Sequence, residues 1–283
     1  MKVGAIEILP VIDTTFAAPP SLIYDYAGRS EDEAWESHRQ LLNDQGLLEQ
    51  SMGGFLIRGA GNHLTLVDLG LGPNEMIGLS GGGLLDSLAS YGVGPEQITD
   101  VVFTHLHLDH IGWATKDDEV VFPNATYRCD VADWDFFVTN FSADGSGEAS
   151  AYFAQGLEYF QLQRDILLPV LDRLEAWSSD GPLLPGLDAM RIPGHTPGST
   201  IVVVSDGGQR ALLLGDVAHC PAELVDDEWE CLADVDPELA TRARNALVRE
   251  IEGEDLPMAA AHFPGLQFGR LLFAEASRRF TYL

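Results

Sequence analysis

The sequence predicts an α/β fold. Strand-like and helical runs alternate along its 283 residues. The stretch IVVVSDGGQRALLLGD at 201–216 is apolar at nearly every strand position, as in a sheet covered on both faces. Hydrophobic residues make up 46% of the chain, enough for a real core, and no repeat or low-complexity linker interrupts it.

The elements follow in order. Phe55–Arg58 and Leu64–Leu69 read as a strand pair around the turn Gly59-Ala60-Gly61-Asn62. Leu84, Leu85, Leu88 and Tyr91 share one helical face, ended by Gly92 and the Gly94-Pro95 break. Ile98–Thr104 is rich in β-formers. Residues 134–177 hold many aromatics, among them Trp134, Phe136, Phe137, Phe141, Tyr152, Phe153, Tyr159 and Phe160. Ile166, Val170, Leu174 and Trp177 continue at helical spacing, with a kink or restart at Pro169. The polar stretch Ser142–Ser150 reads as a mobile loop. This segment is either a helical hairpin on the core or a cap over a cleft, and both can hold. Residues 201–216 form a hairpin around a Ser205–Gln209 turn. Asp236 is an N-cap with Pro237 at the first helical position, and Leu239, Ala243, Leu247 and Ile251 then recur every four residues.

Composition removes several function classes. Net charge is −28, from 44 acids and 16 bases. A polyanion is repelled by such a field. The arginines gather only as Arg242, Arg244 and Arg249 on one helix and Arg270, Arg278 and Arg279 near the end, so nucleic acid is not the expected substrate. No apolar run approaches membrane-span length. MKVGAIEILPVIDTT lacks the apolar core of a signal peptide, so a cytoplasmic location is expected. Cys129, Cys220 and Cys231 are irregularly spaced and read as reduced, buried thiols.

The chemistry sits in THLHLDHIGW, residues 104–113. His105 and His107 are two apart at a strand end, so their side chains point the same way and can grip one ion. Asp109 and His110 follow at a turn and can reach a second ion. Imidazole with carboxylate, and no cysteine nearby, suits a catalytic zinc with an open position. Such a segment cannot complete two metal shells alone. His195 in PGHTPG, Asp216 in LGD and His262 before FPG each stand where an apolar run meets a turn.

HxHxDH, GHTPG, LGD and a late histidine, in that order, resemble the metallo-β-lactamase fold superfamily of metallohydrolases. The match runs from Val67-Asp68-Leu69-Gly70 to His262. The resemblance implies one domain over residues 1–283, a four-layer αββα sandwich, with 134–177 as a helical cap segment. It implies two divalent ions, with zinc expected. His105, His107 and His195 would hold one; Asp109, His110 and His262 the other; Asp216 would bridge them. A hydroxide shared by two zinc ions, roughly 3.5–4 Å apart, is a nucleophile at neutral pH. Asp109 would be ligand and proton acceptor.

Departures narrow the branch. True β-lactamases usually carry Cys where Asp216 stands, and flavodiiron oxidoreductases carry Glu where His107 stands. DHIGW, the aromatic segment, GDVAH and HFPG look most like the branch of methyl parathion hydrolases and quorum-quenching lactonases. Lactonases there carry Tyr where His219 stands, which makes His219 a candidate hydrogen-bond donor or acid. Asp68 is either a partner beneath a ligating imidazole or a strand-end turn residue. His38 and His63 match no motif and read as solvent-facing or locally bonded, and Cys220 is not needed as a ligand.

The reading is a hydrolase of a small ester-like molecule: a lactone, carboxylic ester or phosphotriester. The alternatives are a thioester hydrolase of the hydroxyacylglutathione type, a nuclease of the same fold, which the charge opposes, and a metal-binding protein without turnover. A homodimer is expected by resemblance and base rate.

Overall fold

A computed structural model describes residues 1–26, 28–59, 63–140, 157–274 and 277–283. Two seven-stranded sheets carry it. The first holds β1 (Lys2–Val3), β2 (Ile6–Ala18), β3 (Leu48–Arg58), β4 (Leu64–Val67), β5 (Asp100–Val102), β6 (Thr126–Asp130) and β7 (Leu174–Trp177). The second holds β8 (Gly181–Leu184), β9 (Leu187–Arg191), β10 (Thr200–Asp206), β11 (Gln209–Leu213), β12 (Pro257–Ala259), β13 (Gly269–Ala274) and β14 (Ser277–Tyr282). Within each sheet the strands lie side by side in chain order. Pairing is antiparallel except for β4–β5, β5–β6 and β6–β7 in the first sheet and β11–β12 in the second.

Alternation of side chains sorts these strands into layers. Phe55, Ile57, Val67 and Val102 from the first sheet meet Val202, Val204, Ala211 and Leu213 from the second in an inner core. Leu56, Leu66, Val101 and Phe103 face outward under the helix Leu84–Ser90 and under Ile166, Leu167 and Val170. Ile201, Val203, Leu212 and Leu214 face outward under the helix Pro237–Ile251. Both faces of β10 and β11 are therefore covered, which explains the unbroken apolar runs Ile201–Val204 and Ala211–Leu213. The result is an αββα sandwich.

The hairpin turns on Gly207 and Gly208, both at positive φ. Asp236 caps its helix by accepting from the Leu239 amide, with Pro237 next. Its buried residues are Ala240, Arg244, Asn245, Leu247, Val248 and Ile251; Leu247 and Ile251 of the expected row are among them, while Leu239 and Ala243 are only partly buried. Arg244 sits among them because it reaches buried Glu223.

Residues 134–177 depart from expectation at one end. The chain is helical over Val131–Trp134, continues as a π-helical turn over Asp135–Thr139, and is helical again over Leu157–Leu167. Pro169 opens a 3-10 turn, Leu168–Arg173, so it restarts the helix. Leu174 and Trp177 do not continue it. They lie on β7, paired in parallel with β6. A spacing of three residues fits a helical face, but parallel ladder bonds claim this backbone. The turn residues 60–62, the Ser142–Ser150 stretch, Phe141, Tyr152 and Phe153 lie outside the described residues.

Candidate metal centre

The site lies where strands end on one edge of both sheets. β5 runs into Thr104 and His105, and a helical turn, Leu108–Ile111, carries Asp109 and His110. His195 sits in the loop from β9 to β10, Asp216 just after β11, and His262 just after β12. Gly215 has φ near 54°, and a Cβ there would lie 2.6 Å from Thr104 Oγ1. Only glycine lets the β11 end approach β5 so closely, which brings Asp216 beside His105.

All seven expected residues converge. His107 Nδ1 lies 3.1 Å from His105 Nε2 and 3.0 Å from His195 Nε2. Asp109 Oδ2 lies 3.4 Å from His262 Nε2 and 3.8 Å from His110 Nε2. The Asp216 carboxylate stands between the two groups. Its Oδ1 is 3.3 Å from His110 Nε2; its Oδ2 is 3.1 Å from His262, 3.4 Å from His195 and 3.8 Å from His105.

The outer ring nitrogens are tied down. His110 Nδ1 faces Asp68 Oδ2 at 3.0 Å, His195 Nδ1 faces Asp234 Oδ1 at 2.8 Å, and His262 Nδ1 faces the Ser51 carbonyl at 3.1 Å. Asp68 also accepts from the Thr104 amide and hydroxyl, each at 2.8 Å. Asp68 follows the strand end at φ 62°, and its buried carboxylate lies beneath the His110 ring, so the two expected roles coincide. With protons on those Nδ1 atoms, the Nε2 lone pairs of His110 and His262 point at carboxylate oxygens. Buried acceptor then faces buried acceptor, and His110 Nε2 and Asp216 Oδ1 make no hydrogen bond. A cation between them resolves this, so the donor set fits a metal.

Charge partitions sharply. Burial, aided by neighbouring imidazoles, holds His105 and His107 well below the ordinary imidazole range. Burial pushes His110 the same way, but Asp216, Asp68 and Asp109 outweigh it and hold it well above. Burial would raise Asp216, but His110, His262 and other imidazoles hold it well below the ordinary carboxylate range.

Sequence reading did not find several supporting groups. Asp133 is fully buried and accepts from the Leu106 and Gly198 amides and the Thr196 hydroxyl, tying the two histidine loops together. Burial pushes its carboxyl up to about 7. Asp234 and the Ser51 carbonyl carry no motif. Glu223 accepts from the His219 and Cys220 amides and the Tyr24 hydroxyl. Its place four residues past His219 was the available signal.

His219 Nε2 lies 3.2 Å from Asp216 Oδ2, and its ring stacks on His262 at 5.4 Å. Cys231 Sγ is 3.6 Å from the same nitrogen. Cys220 is buried and outside the converging groups. His38 is not solvent-facing: it is buried and pairs with distant Asp226 at 2.6 Å. His63 is half-exposed, 3.1 Å from Asp100. A cavity of about 390 Å³ opens onto the cluster. Tyr159, Phe160 and Gln163 line one side, with Leu22, Met76 and Leu232 elsewhere, and Phe137 packs on His107. Gln163 also donates to the Leu106 carbonyl at 2.8 Å. Among the described residues no helix is long and apolar enough to cross a membrane.

Comparison with known proteins agrees with this geometry. No curated protein matches the chain. Among solved structures it is similar to AidC, described as a dizinc quorum-quenching lactonase, with TM-score 0.83 and 22% identity over 100% of this chain and 95% of that one. It is similar to the hydrolase AbOPH of the β-lactamase superfamily, with TM-score 0.82 and 24% identity over 100% and 95%. A probable metal-dependent hydrolase from Staphylococcus aureus aligns with TM-score 0.74 and 19% identity over 93% and 91%. At such identities these likenesses speak for the fold. The family model of the metallo-beta-lactamase superfamily matches residues 54–262, a span that contains every residue of the converging cluster, and the chain belongs to that superfamily.

Proposed function

We propose that the protein is a dinuclear metal-dependent hydrolase of small ester-like molecules, namely lactones, carboxylic esters or phosphotriesters. The observation that carries this is the Asp216 carboxylate standing between two groups of inward-facing ligand atoms whose outer nitrogens are already bonded. His105, His107 and His195 hold one ion, and Asp109, His110 and His262 hold the other. Zinc is the ion proposed for both. Divalent ions bound there supply Lewis acidity and bring the pKa of a water into the neutral range.

The chain's own groups do the rest. Asp68, Asp234 and the Ser51 carbonyl fix the ring tautomers, so lone pairs face inward before substrate arrives. Asp109 lines the cavity, and the carboxylate oxygen it does not use as a ligand can take a proton from attacking water. His219 lines the same cavity, and its imidazole can donate to the oxygen on which charge develops. Apart from the cluster carboxylates Asp109 and Asp216, the lining among the described residues is uncharged or imidazole, with no Lys or Arg, which favours an uncharged substrate. Tyr159 and Phe160 form an apolar wall beside the cluster on which the substrate's apolar part can pack. This is the cap role of the aromatic segment.

The test is a panel of chromogenic lactone, ester, thioester and phosphotriester substrates, run with zinc and with chelator. Turnover of an uncharged ester or phosphotriester that disappears with chelator is expected. Zinc-loaded protein inert on all four classes would leave a binding role and overturn the proposal.

A further inference from the structure

Glu223 is a buried carboxylate behind His219, and the proposed hydrolysis gives it nothing to do. It lies in the helical turn Ala222–Val225, four residues past His219. Its Oε2 accepts from the His219 amide at 2.5 Å, the Cys220 amide at 3.0 Å and the Tyr24 hydroxyl at 2.9 Å. Its Oε1 pairs with Arg244 at 3.4 Å. On the other side of His219, Gln50 from β3 donates to the His219 carbonyl at 3.2 Å. Both polar groups of the His219 backbone are thus held by buried side chains.

A glutamate that bonds back to amides before its helix is a common cap, and an exposed carboxylate can do that work. Glu223 is instead 1% exposed, enclosed by Arg244 at 2% and by Tyr24, which is 199 residues away in the chain. Burying such an ion pair costs desolvation, and apolar side chains of similar volume often serve stability as well. Stability alone therefore does not account for it. What the arrangement fixes is the point from which the His219 side chain departs. From there the ring stacks on His262 with 10° between planes, and Nε2 lies 3.2 Å from Asp216 Oδ2. Nδ1 lies 3.6 Å from Glu223 Oε2 and makes no hydrogen bond, so Glu223 acts on the ring through the backbone.

We propose that Glu223, held by Arg244 and Tyr24, is the positioning residue of His219. It fixes the backbone from which the imidazole reaches the substrate oxygen. This role rests on the reading of His219 as donor to that oxygen. A glutamine has one acceptor oxygen for the work of two. In Glu223→Gln the side chain either keeps the amide contacts and turns its NH2 on Arg244, or the reverse.

The experiment is a double-mutant cycle on the zinc-loaded chain, with the best substrate of the panel. Glu223→Gln should keep two ions and an unchanged KM, and lower kcat by about 10–100-fold, the cost of a misplaced reacting group. In the His219→Ala background the same substitution should cost less than about twofold, because the group it positions is gone. Equal losses in both backgrounds would mean that Glu223 acts on the fold, and would overturn the proposal. Full activity in Glu223→Gln beside a slowed His219→Ala would overturn it too. Unchanged kinetics in His219→Ala overturns the reading of His219 and this role with it. If Glu223→Gln does not fold, Glu223→Gln combined with Arg244→Met removes both buried charges together and carries the same cycle. A second readout needs no turnover. NMR of the zinc-loaded chain with isotope-labelled histidine should show one sharp set of His219 ring signals. Glu223→Gln should broaden or split that set and leave the other histidines sharp. A single sharp His219 set in the variant overturns the positioning role by itself.

Discussion

His105 and His110 have ring centres 3.9 Å apart, and their basicities move in opposite directions. Burial, then like charge from His110 and more weakly from His195 and His107, disfavours protonation of His105. His110 faces Asp216, Asp68 and Asp109, so a buried cation is welcome there. One half of the centre is a cluster of imidazoles; the other is a carboxylate-rich pocket around His110. Burial is the same in both. Neighbours decide the outcome, and Asp216 is the one neighbour both halves share.

The largest test removes what is shared. Asp216→Ala should strip both ions and lower turnover by at least about 10⁴, because water activation goes with them. Elemental analysis reads this directly, and a variant that kept one full equivalent would show that the carboxylate serves one half only. The next test leaves both halves in place. His219→Ala should retain two ions yet slow turnover by about 10²–10⁴, the range for a lost acid–base group. Loss of metal in that variant would give His219 a ligand's role at the dinuclear centre, and unchanged kinetics on the best substrate would remove its role in the reaction.

A third pair of variants should separate the halves. Asp234→Asn loosens His195 and Asp68→Asn loosens His110, each weakening one ion by about 10–100-fold. Asparagine tolerates the positive φ at Asp68, so the backbone there is not the variable. Zinc competition assays should find one weakened ion in each case; equal loss of both would mean the halves are not independent. The smallest test sits away from both halves. The His38 hydrogen bond holds the Asp226 carboxyl below its ordinary range. A lowered carboxyl adds stability above its unfolded pKa, and that stability is lost as pH falls through the folded value. Asp226→Asn should therefore cost under about 1 kcal/mol at neutral pH, because the pair is partly exposed. The cost should fade below about pH 4. Denaturant melts of both proteins across pH check this.

The convergence of the His/Asp cluster was readable because its first four members share one short segment, and each later member follows an apolar run. The covered sheet was readable from β10 and β11 for the same reason: burial on both faces writes itself as an unbroken apolar run. The supporting carboxylates were not. Asp13 accepts from Trp113 Nε1 at 2.8 Å and from the Gly72, Gly82 and Leu84 amides, pinning the loops below the site. Like Asp133 and Asp234, it looks like a surface acid until distant segments close over it. Arg244 misled in the opposite way, since a buried ion pair made a core position read as polar. Leu174 and Trp177 misled because helical spacing and strand membership cannot be told apart over four residues.

The strictly sequential strand order means that the first sheet is built by residues 2–177 and the second by residues 181–282. The cluster straddles that seam. His105, His107, Asp109 and His110 come from the first part, and His195, Asp216 and His262 from the second. On the proposed assignment neither part alone supplies a complete set of ligands. Each ion would then be a clasp as well as a reagent: full ligation would require both parts of the chain to close against each other, and its affinity would add to their closure through linkage. A chain cut between β7 and β8 would be expected to reassemble more tightly as metal is added, like a hinged locket that shuts on its contents.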